Sequence, residues 1–261
     1  MTPYRIAVCL HGQFRTGTYC LPWIIQTYAN AFTSTDRPIE IDYFFYAKVD
    51  PNSTLEAIYQ AIHEYNPKKY TVVEHYVNEF RQDIIMARGI ANAVNLKQQY
   101  EAENNFMYDV CVIQRFDGLL GPFVTSLRDQ LQIKPIEPMT IYVECEFFFE
   151  ERSCKHGVQD MSLIGSNLAI DLLVGEFTVL WNKLEHDKSL DYNQSILIFF
   201  KMFSQNCSLA IKTLEIQTAL VRSTADLTVP VLQSYAYHNE YWTTTCAEYR
   251  IQQAQANSTS N

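Results

Sequence analysis

No dense stripe of lysine and arginine occurs anywhere in this 261-residue chain, whose formal net charge is −9. Nucleic acid is therefore not an expected partner, because its phosphates call for a clustered basic surface. There is no Cys-x-x-Cys pair. The cysteines, Cys9, Cys20, Cys111, Cys145, Cys154, Cys207 and Cys246, are scattered and odd in number. That spacing argues against a disulfide framework or a zinc site and makes a reducing compartment the default. No apolar run is long enough to span a bilayer, the longest being Ile196 to Phe200. No leader with an apolar core and cleavage site precedes the first strand, so the expected location is the cytoplasm, and sequons such as Asn52-Ser53-Thr54 read as chance matches. Neither Gly-x-Gly-x-x-Gly nor Gly-Lys-Ser/Thr occurs, which disfavours NAD enzymes and ordinary nucleotide kinases.

Apolar residues make up 48% of the chain, too many for a disordered protein, and aromatics 13%, rich in Tyr and Phe. Such aromatics serve core packing, and they also suit a groove that grips a base or a sugar ring. The length fits one large α/β domain, with no internal repeat and no long linker.

Ile6 to Leu10 is apolar at every position, as in strands buried on both faces of a parallel sheet. A loop, His11-Gly12-Gln13-Phe14-Arg15-Thr16-Gly17, follows it, then a helical stretch from Tyr19 to Phe32 in which Pro22 fits only near the first turn. Strand, Gly loop and helix open a nucleotide-binding fold. Further strands are expected at 39–46, 69–73 and 108–114. A helix that Asn52 or Ser53 would cap is expected to run through about Tyr65, and the clearest helix at 83–103, with Ile84, Ala87, Ala91 and Val94 on one face. This alternation predicts a mostly parallel, Rossmann-like sheet with crossover helices. The second half reads as less regular: strands at 140–143, 160–165 and 211–220, helices at 167–184 and 191–203, and a polar tail from Gln252.

The strongest chemical signal is Arg115-Phe116-Asp117, at the carboxyl end of the fourth strand, where open α/β sheets bind ligands. Residues two apart in an extended segment share a side, so Arg115 and Asp117 should aim into one crevice. Arg115 suits a bidentate clamp on phosphate, and Asp117 suits an oxygen ligand for Mg²⁺ or Mn²⁺. The alternative is a local Arg–Asp ion pair that closes the strand end. Gly12, Gln13 and Arg15 form a second, weaker signal: a glycine for close backbone approach, an amide for a base or ribose, and a cation for phosphate. Asp160 is a candidate general base toward an acceptor hydroxyl, or else a solvated strand start. His238, in Tyr237-His238-Asn239-Glu240, is a candidate metal ligand, against the more ordinary surface or core role.

The run from Arg5 to Thr16 resembles the "IAVCLSGQPRT" opening of glycosyltransferases found in phages, giant viruses and marine bacteria. Leu96-Lys97-Gln98-Gln99-Tyr100-Glu101, Asn104-Asn105, Tyr108-Asp109 and Arg115-Phe116-Asp117 are similar to that family's "LKxQYExENNFxYDxxxRxRxD" block. Thr140-Ile141-Tyr142 and Asp160 to Ser166 resemble later stretches. The likeness covers about residues 5 to 170. It departs at His11, where the family has Ser, and at Gln114, where an arginine is lost.

The resemblance implies a single GT-A-like domain over 1–251. Its nucleotide-binding half is about 1–120 and its acceptor-side half about 121–251, with the tail at 252–261. It also implies a nucleotide-sugar donor, a glycan or other hydroxyl acceptor, Arg-x-Asp in place of Asp-x-Asp, and the host cytoplasm if the source is viral. A second class is weighed because Phe14-Arg15-Thr16-Gly17-Thr18 resembles the phosphosulfate loop of sulfotransferases. That class needs Ser eight residues after its second arginine, and here Phe123 stands at that spacing from Arg115. A non-catalytic sugar-binding or virion-associated protein on a transferase fold is the third reading.

Overall fold

The computed structural model describes residues 2–32, 37–50, 53–74, 82–120, 136–143, 146–147, 157–158, 162–186, 207–213 and 218–220. The expected helix at 191–203, the tail, Asp160 and His238 lie outside the described residues.

Strands β1 (Tyr4–Gln13), β2 (Ile39–Lys48), β3 (Lys69–Val73) and β4 (Val110–Arg115) alternate with helices α1 (Gly17–Ala31), α2 (Leu55–Tyr65) and α3 (Gln82–Asn104). There follow β5 (Gly118–Leu120), β6 (Thr140–Val143), β7 (Glu146–Phe147), β8 (Gly157–Val158), β9 (Ser162–Ser166), α4 (Asn167–His186), β10 (Ala210–Thr213) and β11 (Thr218–Leu220). One seven-stranded sheet has the order β10-β6-β9-β4-β1-β2-β3. β1, β2, β3 and β4 are parallel neighbours, as the alternation predicts, and β10 is parallel to β6. β9 runs antiparallel to both β4 and β6. The strand expected over 211–220 is two short ones, β10 in this sheet and β11 paired with β5 in a separate ribbon. Among the described residues no helix is long and apolar enough to cross a membrane.

β1 is continuously apolar because both of its faces are covered. Ile6, Val8 and Leu10 join α1 and α2 in one core, with Phe45, Val110 and Val112. Ala7 and Cys9 face the other way and join α3 and α4, with Phe44, Cys111 and Ile113. The small side chains on that second face let Ala87, Ile90, Ala91 and Val94 of α3 sit close to the sheet. The side chain of Ile84 lies outside the described set. Cys9 and Cys111 behave as small core groups, their sulfurs 3.8 Å apart, and burial pushes the Cys9 thiol up.

α3 also buries part of its polar side, because α4 packs across it. Lys97 is fully buried. Its Nζ donates to Asp171 Oδ1 at 2.8 Å and to Asn167 Oδ1, and lies 3.2 Å from Glu101 Oε2. Glu101 Oε1 accepts from Tyr108 N at 2.8 Å and from Asn167 Nδ2 at 2.9 Å. Lys97, Glu101 and Tyr108, all within the "LKxQYE…YD" block, thus tie α3, β4 and α4 together beneath the sheet. α2 starts later than expected: Thr54, rather than Asn52 or Ser53, is its N-cap, accepting from Ala57 N at 3.1 Å.

Candidate functional site at the carboxyl ends of β1, β2 and β4

The first connections from β1 run to one side, through α1 to β2, and β4 lies on the other side of β1. The strand order therefore reverses between β1 and β4, and in open α/β sheets the crevice at such a reversal is where ligands bind.

Two aromatic rings bring the loops at this point together. Phe14 follows β1, Phe116 follows β4, and both are buried. Their ring centroids lie 5.3 Å apart, and Phe116 meets Phe45 of β2 edge-on at 5.4 Å. β1 runs on through Gln13, past the expected start of the loop at His11, and within it Gly12 takes φ +104°, a conformation that disfavours a side chain. Gly17 leaves room for Phe14, since a Cβ there would lie 2.6 Å from the Phe14 ring. With the rings pinned inward, the charged residues beside them converge.

Arg115 Nε and Nη2 donate to Asp117 Oδ1 and Oδ2 at 2.8 and 2.9 Å, a bidentate pair. Arg15 Nη1 donates to Asp117 Oδ2 at 3.3 Å, its Nε to Asp50 Oδ2 at 2.9 Å, and its Nη2 to Gln13 Oε1. The carboxylates are the inner layer, with Asp50 and Asp117 side chains 2% and 1% exposed. The guanidiniums of Arg15 and Arg115 are the outer layer, at 23% and 21%. Burial by itself would raise the Asp117 pKa. The adjacent Arg115, by charge and hydrogen bond, and then Arg15 hold it below the ordinary carboxylate value. The result is a pair of partly exposed guanidiniums, each held from below by a buried carboxylate.

Of the residues singled out from sequence, Gly12, Gln13, Arg15, Arg115 and Asp117 meet here. The shared side of Arg115 and Asp117 comes from a turn at Phe116 and Asp117 rather than from a continuing strand. Asp50 is the residue that sequence reasoning missed. Its signal is its place just after β2, which the parallel register sets beside the end of β1. His11, near the end of β1, stands where the resembled family has Ser. It is 2% exposed. Burial, and then the neighbouring Arg115 charge, lower its pKa to about 3, so it is neutral at physiological pH.

Both Asp117 oxygens accept from guanidiniums, and no group of three His, Cys, Asp or Glu side chains among the described residues is arranged to hold a metal.

No protein-family model and no curated protein matches the sequence. Among solved structures, the inositol-1-phosphate CTP transferase from T. maritima is similar over 95% of this chain and 98% of its own, at 9% identity and a TM-score of 0.42. A likeness at this level assigns no activity.

Proposed function

We propose that the chain is a glycosyltransferase of GT-A-like type that binds a nucleotide-sugar donor across the ends of β1 and β4. The observation that carries this reading is the convergence of Arg15 and Arg115 at the sheet's reversal point, each oriented by a buried carboxylate. Transfer from a nucleotide sugar expels a nucleoside diphosphate, on which negative charge grows as the anomeric bond breaks. Preorganised guanidiniums stabilise that charge without having to reorient during the reaction. In this reading Arg15 and Arg115 bind the diphosphate, Asp50 and Asp117 position them, and Gly12 and Gln13, at the end of β1, lie against the nucleoside. Mg²⁺ or Mn²⁺ is the proposed counter-ion of the donor diphosphate beside the two guanidiniums, and Asp160 is the proposed base toward a glycan hydroxyl.

The test is a thermal-shift panel of UDP-, GDP- and CDP-sugars and adenosine 3′,5′-bisphosphate, with and without Mn²⁺. A ligand that binds only the folded protein raises its melting temperature by mass action. The reading expects stabilisation by at least one nucleotide sugar. Stabilisation by the bisphosphate alone would favour sulfotransfer, and a flat panel would contradict a donor site.

A further inference from the structure

His11 stands at the end of β1 with its Cα in register with Arg115 of β4, so the two side chains leave the same face of the sheet side by side. The residue is buried, and among the described residues its Nε2 has no hydrogen-bond partner. Its other ring nitrogen is turned toward α3, where Gly89 makes room: a Cβ at Gly89 would lie 3.1 Å from His11 Nδ1. A helix-interior glycine is itself unfavourable, so the chain accepts a cost in α3 that accommodates this ring. An unsatisfied buried nitrogen is a second cost. Both fall beside the guanidinium cluster, which points to a role in binding.

We propose that His11 Nε2 hydrogen-bonds a sugar-ring hydroxyl of the donor that Arg15 and Arg115 hold by its diphosphate. The inference rests on the donor reading above. Two features select a hydroxyl over a phosphate oxygen. The ring is uncharged, because burial and the Arg115 charge, with Lys48, oppose protonation and outweigh the opposite pull of Asp117, so it adds no cation for an anion. A hydroxyl both donates and accepts, so either neutral tautomer satisfies it. The hydroxyl belongs either to the ribose or to the transferred sugar.

Isothermal titration of wild type, His11→Phe and His11→Leu with UDP-glucose, GDP-mannose and CDP-glucose, and with the matching free diphosphates, tests this. The expected result is binding of one nucleotide sugar, weakened about tenfold in both variants, or ~1.4 kcal/mol, without a lower melting temperature for the unliganded protein. Weakening of the nucleotide sugar alone assigns the transferred sugar, and equal weakening of the free diphosphate assigns the ribose. Wild-type binding that both variants retain overturns this inference alone. Wild-type binding of none of the probes contradicts the donor reading and this inference with it. Should the variants fail to fold, ¹⁵N spectra of histidine-labelled wild type decide: the His11 Nε2 resonance moves at donor saturation, and an unmoved resonance overturns the proposal.

Discussion

Arg15 and Asp117 are 102 positions apart in the chain, yet Nη1 of one lies 3.3 Å from Oδ2 of the other. The contact follows from the strand order, which sets β4 beside β1, and from the packing of Phe14 on Phe116. A charged residue sits next to each ring, so burying the rings brings the charges together at the surface of the sheet's end.

Asp117 orients both guanidiniums, and removing its charge leaves them to repel each other. Asp117→Asn is expected to lower stability by about 1–3 kcal/mol, less than for a fully buried pair because both arginines are partly exposed. It should also weaken nucleotide-sugar binding. Urea unfolding and titration read the two effects, and unchanged stability and binding would contradict this role. If wild-type turnover requires Mn²⁺ and the variant loses that requirement, Asp117 is a metal ligand as well.

Lys97 belongs to the scaffold. Lys97→Met leaves Glu101 and Asp171 without their buried cation and is expected to cost about 3–5 kcal/mol in urea unfolding. Donor affinity of the folded protein should stay unchanged. The double variant Lys97→Met/Asp171→Leu should regain part of the loss. A single variant as stable as wild type would show that the network contributes nothing.

His11 sets a pH dependence. Its folded pKa is about 3, against an ordinary value of 6.5. Between those values the unfolded chain binds a proton that the folded chain refuses, so stability falls as pH drops below 6.5, by up to about 1.4 kcal/mol per pH unit. Asp117 acts in a lower window: its stabilisation is present above 3.8 and is lost as pH falls through its depressed folded value. Urea unfolding at about pH 7.5, 6 and 5 should show a smaller acid loss in His11→Phe than in wild type. Equal losses would contradict the assignment.

Two glycines separate packing from propensity. Gly17→Ala would place a Cβ 2.6 Å from the Phe14 ring, and is expected to destabilise by about 1–3 kcal/mol and displace Arg15. Gly175→Ala in α4 meets nothing within 4 Å and should stabilise by about 0.5–1 kcal/mol. Equal effects in thermal unfolding would refute the packing account.

Much of the first half was legible because burial on both faces leaves a sequence mark: Ile6 to Leu10 and Val110 to Ile113 are uninterrupted apolar runs, and helical spacing marks α3. Arg15 and Arg115 were legible as site residues because each follows an uninterrupted apolar run. Asp50 was not legible, since its role depends on the β1–β2 register and not on its neighbours in sequence. Lys97 was hidden for another reason. A lysine on a helix reads as solvent-facing, and only the packing of α4 over α3 encloses it. The antiparallel course of β9 also left no local mark, because a short buried strand looks the same in either direction.

The central claim is that Arg15 and Arg115 meet the charge of a departing nucleoside diphosphate. It is tested most directly by the rate at which wild type and Arg115→Ala consume the best-bound nucleotide sugar, followed across a Mn²⁺ titration. The account predicts turnover by wild type and a loss in Arg115→Ala of about 10²–10³-fold, or ~2.7–4 kcal/mol of transition-state stabilisation. Turnover that survives Arg115→Ala undiminished, or a wild-type protein that consumes no nucleotide sugar at any Mn²⁺ concentration, would contradict it.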